Sequence, residues 1–132
     1  MILVDTSVLI DFLKDIKNPA TDKFTEIIDL NIPFGITSHI YQELLQGASS
    51  QKDFDVLKKY LDTFTFFSPL DKKDSYAQAA NIYFHCRKKG ITVRSSVDCI
   101  IAQIVLEQDL KLLHNDKDFE NIKQAVTSLE FY

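Results

Sequence analysis

The chain has 132 residues, 45% of them apolar and 26% charged, a size and mix that suit one packed domain and leave too little chain for two. Three glycines, three prolines and no Ser- or Gln-rich run exclude a disordered or low-complexity chain, and no uncharged stretch approaches the ~20 residues that span a bilayer. With 15 basic against 19 acidic residues the formal charge is −4, which excludes a grip on nucleic acid by net charge alone unless bound divalent cations offset it.

Ile2-Leu3-Val4 is a continuous apolar run ended by Asp5 and reads as a strand buried on both faces, as in a parallel sheet. Val8, Leu9, Phe12 and Leu13 recur at helical spacing opposite Asp11, Lys14 and Asp15, and Asn18-Pro19 closes that segment and opens the next. Phe24, Ile27 and Ile28 predict a second amphipathic helix, which Pro33 stops. Phe34 to Thr37 reads as the second strand, and Ser38 to Gln46 as a helix ending at Gly47. Phe54, Leu57, Lys58 and Leu61 predict a helix from Gln51 to Leu61, and the aromatic, threonine-rich stretch Thr63 to Phe67 a third strand. An alanine-rich run from Lys73 to Lys89 predicts the longest helix, stopped by Gly90. A helix over Val97 to Leu106, a fourth strand at Leu110 to Leu113, a short helix over Asp118 to Gln124 and an edge strand at Ser128 to Phe131 complete the chain. Strands alternating with helices imply a three-layer α/β fold: a central, mostly parallel sheet of four to five strands flanked by helices, with residues 1–132 as one domain.

In open parallel sheets, functional groups gather at the carboxyl ends of the strands. Asp5 follows the first strand directly, and Asp116 and Asp118 follow the fourth, so three carboxylates share one rim. Glu43 lies about two turns into the helix after the second strand, and Asp98 lies in the first turn after Ser95-Ser96. Carboxylates converging without a basic partner repel, and the usual remedy is a hard divalent cation with oxygen ligands, Mg²⁺ or Mn²⁺. Each acid also has a purely local use. Asp5 suits the N-cap of a helix starting at Thr6, Ser95-x-x-Asp98 has capping-box spacing, Asp116 or Asp118 suits a cap of the last helix, and Glu43 suits a solvated helix face. A single site accounts for all of them together.

Four blocks then stand in order: Leu3-Val4-Asp5-Thr6-Ser7-Val8-Leu9-Ile10, Ile36-Thr37 with Glu43-Leu44, Ser96-Val97-Asp98 with Ile101-Ala102, and Leu112-Leu113-His114-Asn115-Asp116-Lys117-Asp118-Phe119. Together they resemble the PIN domain and, more narrowly, the VapC-type toxins of toxin-antitoxin pairs. The resemblance implies a metal-dependent endoribonuclease acting on tRNA, rRNA or mRNA, with Asp5, Glu43, Asp98 and Asp116 holding one or two Mg²⁺ or Mn²⁺ ions. It implies supporting roles for Thr6, Ser7, Ser96, Asn115 and Asp118, and a homodimer neutralised by a cognate antitoxin. His114 stands where the family commonly has a threonine, replacing a hydroxyl with an imidazole able to donate to a phosphate. The implied reaction is phosphodiester hydrolysis without a covalent protein nucleophile.

Arg87-Lys88-Lys89 and Arg94 form the densest basic group and are the candidates for guiding an RNA backbone, although a solvated helix C-terminus also favours them. Tyr41, Tyr76 and Tyr83 suit base stacking or packing, and Phe12 and Phe64 suit a partner surface. Cys86 and Cys99 have no Cys-x-x-Cys spacing, and no basic region precedes Asp5; both features point to a reducing cytoplasm without a secretory signal. Two alternatives remain. An aspartate-dependent phosphatase would need a second acid where Ser7 stands, and a catalytically weak RNA- or protein-binding module would suit an incomplete acid set, whereas this set is complete.

Overall fold

The computed structural model describes residues 1–132. Strand β1 (Ile2–Val4) forms from the opening apolar run, and all three residues are buried because structure covers both faces. Asp5 caps α1 (Thr6–Leu13), which turns Val8 and Leu9 inward. A capping box starts α2 (Pro19–Asp29): the Asn18 side-chain carbonyl accepts from the Thr21 amide and the Thr21 hydroxyl accepts from the Asn18 amide, both at 2.9 Å. Its buried face runs through Ala20, Phe24 and Ile27; Ile28, expected on that face, falls beyond its edge and is 40% exposed.

Strand β2 (Phe34–Thr37), α3 (Ser38–Gln46) and α4 (Gln51–Leu61) follow the predicted bounds. Strand β3 (Thr65–Phe67) is shorter than predicted because the Thr63 and Phe64 amides donate back to the Tyr60 and Leu61 carbonyls and extend the turn that closes α4. The longest helix, α5 (Asp74–Lys88), ends before Gly90, whose φ of +72° is a left-handed conformation that glycine adopts without strain. Then come α6 (Ser96–Glu107), β4 (Lys111–Leu113) and α7 (Lys117–Ala125).

All four strands are parallel, in the order β3-β2-β1-β4, so β1 is central and Leu3 pairs with Gly35 on one side and Leu112 on the other. The connections from β1 to β2 and from β2 to β3 step one way across the sheet, and the connection to β4 jumps back past β1. Right-handed crossovers therefore put α1 to α4 over one face and α5 and α6 over the other. Helix packing follows the same division: α1 meets α2 and α3, α3 meets α4, and α5, α6 and α7 meet one another. The fifth strand does not form. Leu129 turns back onto Val126 and is fully buried, so only Phe131 comes into register, as an isolated bridge to Leu112.

The core is one apolar cluster that includes Leu3, Phe24, Ile36, Ile101, Leu112 and Phe119. Phe12 and Phe64 belong to its margin: Phe12, Phe24, Phe34, Phe64 and Tyr60 pack edge to face, with successive ring centroids 4.8, 5.3, 5.1 and 5.0 Å apart. Their aromatic faces are therefore engaged within the chain rather than presented as a partner surface.

Gly35 marks the tightest approach in the sheet, since a Cβ there would lie 2.5 Å from the Thr65 carbonyl oxygen and 2.8 Å from the Phe67 ring. Gly35→Ala is expected to lower the melting temperature by about 4–12 °C, the scale of an overpacked position costing ~1–3 kcal/mol. A thermal melt matching the wild type would show that β3 yields freely.

Candidate active site

The parallel order delivers three chain segments to one rim. The Asp5 amide donates to the Leu113 carbonyl at 2.9 Å, tying the end of β1 to the end of β4. Asp5 itself is 5% exposed, and its Oδ2 accepts from the Ser7 amide at 3.0 Å and the Ser7 hydroxyl at 2.6 Å. The same hydroxyl accepts from the Asn115 amide at 2.9 Å, so Ser7 orients the carboxylate and also holds the loop after β4. The cap is real, and it occupies only one oxygen of Asp5.

Asp98 is different. Ser95 caps α6 by accepting from the Val97 amide at 3.2 Å, and the reciprocal capping box suggested by the Ser95-x-x-Asp98 spacing does not form. Half-buried and without that local use, the Asp98 carboxyl is pushed from the usual 3.8 up to about 8, by burial first and then by the charges of Asp5, Asp116, Asp118 and Glu43. Burial, then repulsion from Asp116, also raises Asp5 against the opposing effect of its Ser7 bonds. Glu43 extends from α3, whose start is fixed by Thr37 accepting from the Ile40 amide at 3.3 Å. Its pKa is raised by desolvation and by Asp5, so it belongs to the cluster even though the residue is exposed.

Asp116 caps α7, its Oδ1 accepting from the Asp118 amide at 2.9 Å. Asp118, 4% exposed, is paired with Arg94, whose Nε lies 3.2 Å from Oδ1 and 3.4 Å from Oδ2; Arg94 Nη2 is 3.7 Å from Asp116 Oδ1. Ligand atoms of Asp98, Asp116 and Asp118 all lie within 4.8 Å of one another. The structure thus brings Asp5, Glu43, Asp98, Asp116 and Asp118 to one rim, with Thr6, Ser7 and Asn115 around them. Ser96 instead lines an apolar groove beside α6 with His39, Tyr76, Tyr83 and Val97.

This donor set fits a hard divalent cation. Every candidate ligand is a carboxylate oxygen, burial and then the charges of the other four acids hold a proton on Asp98, and the buried Thr6 hydroxyl lies near Glu43 without a well-formed hydrogen bond to it. Cys99, the residue next to Asp98, is buried, and burial pushes its thiol up to about 12, which disfavours a free thiolate nucleophile near neutral pH.

Two expectations change. His114 does not face a phosphate: its side chain is 7% exposed, lies against Phe119 and Phe131, and its Nδ1 accepts from the Asp116 amide at 3.1 Å. That bond requires the proton on Nε2, which faces Glu120 at 3.4 Å, and burial keeps the imidazole pKa below its usual value. The basic group is also split. Arg87, Lys88 and Lys89 are exposed at the end of α5, with Arg87 6.0 Å from the Tyr83 ring centroid, whereas Arg94 sits among the acids. Tyr41 is held by Asp62, its hydroxyl donating at 2.7 Å, while Tyr76 and Tyr83 flank a groove of about 440 Å³ between α5 and the start of α6. Nothing in the sequence signalled the Arg94 pairing, because residues 91–95 have no periodic structure and the partner is 24 positions away. Asp11, which the periodicity places only on the polar side of α1, accepts from Asn18 at 3.0 Å and from Asn115 at 3.5 Å, linking α1 to the loop after β4.

The PIN domain family matches residues 2–125, and the chain belongs to that family. It is 28% identical over 131 residues to ribonuclease VapC11 of Mycobacterium tuberculosis and to a VapC ribonuclease of Mycobacterium bovis, covering 98% of this chain and 96% of each relative. The fold resembles that of DNA-bound VapBC from Salmonella typhimurium, with a TM-score of 0.77 at 20% identity over 99% of this chain and 96% of that one. VapBC2 from Rickettsia felis, bound to a fragment of promoter DNA, gives a TM-score of 0.72 at 18% identity over 100% and 98% of the two chains.

The cluster carries a pH signature in metal-free protein. Asp98 holds a proton in the folded chain up to about pH 8 but loses it near 3.8 when unfolded, so its stabilising effect is full below pH 3.8 and lost as pH rises through 8. Asp5 and Glu43 are shifted in the same direction, whereas His114, shifted down, opposes them only below its unfolded value of 6.5. With chelator present, the melting temperature is expected to fall between about pH 6.5 and 8.5, and Asp98→Asn should flatten that fall. An equally steep fall in the variant would remove Asp98 as its source.

Proposed function

We propose that this chain is a VapC-type toxin, an endoribonuclease that hydrolyses RNA phosphodiesters at the rim carboxylates with Mg²⁺ or Mn²⁺ bound. The observation that carries this reading is the convergence of ligand atoms of Asp98, Asp116 and Asp118 within 4.8 Å, with the charges of Asp5 and Glu43 also acting on Asp98. Asp5, Glu43, Asp98 and Asp116 would hold the cation, with Asp118 beside them. When bound, the cation makes water acidic enough to attack near neutral pH and stabilises charge building on the phosphoryl oxygens. Ser7 orients Asp5 and His114 Nδ1 holds the backbone of Asp116, and Asp98 would have to release its proton to solvent to serve as a ligand.

Arg87, Lys88 and Lys89 supply exposed positive charge for the RNA backbone, offsetting the overall charge of −4. The residues 1–132 act as one PIN domain. A second copy of this chain is one partner, and Tyr76 and Tyr83 leave apolar surface exposed beside the groove between α5 and α6. A cognate antitoxin is the other partner, a reading supported by similarity to VapBC proteins. The site of action is the cytoplasm, and no helix is long and apolar enough to cross a membrane. The phosphatase alternative is disfavoured because Ser7, where a second acid would be required, binds Asp5 Oδ2 through both its amide and its hydroxyl.

Chelation is expected to abolish RNA cleavage and added Mg²⁺ or Mn²⁺ to restore it. Asp5→Asn keeps a capping side chain but removes the charge, so cleavage should drop about a hundredfold or more while the metal-free fold is as stable or more so. Cleavage that survives exhaustive chelation, or a fully active Asp5→Asn protein, would sink the metal-site assignment.

Replacing Arg87, Lys88 and Lys89 together with Gln should weaken RNA binding and flatten the dependence of log Kd on log salt by about 2 units, the slope expected for three single-strand contacts. Filter binding from low to moderate salt reads this directly. An unchanged slope would return the three residues to a purely solvent-facing role.

A further inference from the structure

Arg94 is the only basic side chain paired with the acid cluster, and its two carboxylate partners are held very differently from Arg94 itself. Asp118 is buried at the start of α7, with its amide bound to Asp116 Oδ1 at 2.9 Å, and Asp116 is fixed in turn by His114. Arg94 lies in the irregular stretch between α5 and α6, where neither helix nor strand holds its backbone, and its side chain is 71% exposed. One side of this ion pair is held by bonds within the chain, and the other is largely open to water.

We propose that Arg94 is a built-in counter-ion whose charge opposes a divalent cation bound at the same carboxylates, so that Arg94 lowers the cation affinity of the site. This rests on the rim carboxylates binding a divalent cation, as proposed above. The guanidinium neutralises part of the charge that attracts the cation: Nε contacts both oxygens of Asp118 and Nη2 approaches Asp116. A cation sharing these carboxylates meets that positive charge at short range. For charges of +2 and +1 about 6 Å apart in a water-like medium, the repulsion weakens binding roughly tenfold, and salt reduces this to about threefold. Linkage makes the effect reciprocal, so cation binding loosens the Arg94–Asp118 pair by the same factor. The opposite role, in which Arg94 positions Asp118 as a ligand, predicts a change of opposite sign.

The test is calorimetric titration of the full chain with Mn²⁺ at low ionic strength, using wild type, Arg94→Gln and Arg94→Lys, with melting curves to establish folding. Arg94→Gln is expected to bind Mn²⁺ about three- to tenfold more tightly, an advantage that shrinks as salt is added, while Arg94→Lys stays close to wild type. In the wild-type protein, nuclear magnetic resonance during Mg²⁺ titration should show the Arg94 Nε–H losing protection from exchange with water, a readout that needs no variant to fold. Equal or weaker Mn²⁺ binding by Arg94→Gln, with normal binding by wild type, overturns the proposal and leaves Arg94 as a positioning residue for Asp118. An Nε–H that stays protected at saturating Mg²⁺ overturns it as well. If none of the three proteins binds Mn²⁺, the reading of the rim carboxylates fails and this proposal falls with it.

Discussion

Five carboxylates crowd the carboxyl rim of a four-stranded parallel sheet, and their mutual repulsion is the constraint to which the surrounding structure responds. Burial, and then the charges of its four acidic neighbours, keep a proton on Asp98 up to about pH 8. The other acids are held by bonds that offset their crowding. Ser7 donates twice to Asp5, the Asp118 amide donates to Asp116, and Arg94 pairs with Asp118. None of these contacts adds much stability alone; a cap contributes ~1 kcal/mol and an exposed ion pair less. Together they keep like charges within a few ångströms of one another, an arrangement suited to a cation.

Helix caps are the means by which the fold aims the cluster. Asp5 and Asp116 each begin a helix that leaves the rim, and the capping geometry that satisfies orphan amides also fixes the direction of each carboxylate. Structural and chemical uses of these residues are therefore not rivals. A cap occupies one oxygen and orients the other. Asp98 shows the complementary arrangement: Ser95 takes over the cap of α6, and Asp98 is left to the cluster.

The central position of β1 explains why segments so distant in sequence meet. With β2 on one side and β4 on the other, the carboxyl ends of all three strands share the rim at Asp5, and two long-range bonds tie the end of β1 to the end of β4. The Asp5 amide binds the Leu113 carbonyl, and the Asn115 amide binds the Ser7 hydroxyl. His114 adds stiffness between them. Packed against Phe119 and Phe131 and accepting from the Asp116 amide, it braces the loop that a hydroxyl at this position would leave less filled.

The element order, the parallel sheet and the acids at its rim were legible in the sequence, because apolar periodicity, caps and breakers act over a few residues at a time. Asp5, Glu43, Asp98 and Asp116 could be singled out for the same reason: each stands at a fixed offset from a recognisable strand or helix start. Misreadings arose where distant contacts decide the outcome. The fifth strand was lost because Leu129 is drawn into the core, Ile28 lies outside the stripe chosen by α2 packing, and Phe12 and Phe64 found aromatic partners within the chain. The partner of Arg94, the bonding state of His114 and the shift of Asp98 were settled by tertiary structure alone. Local patterning determines which segments form; the charge state and pairing of a side chain depend on groups that only folding brings within a few ångströms, where Coulomb energy and desolvation are large.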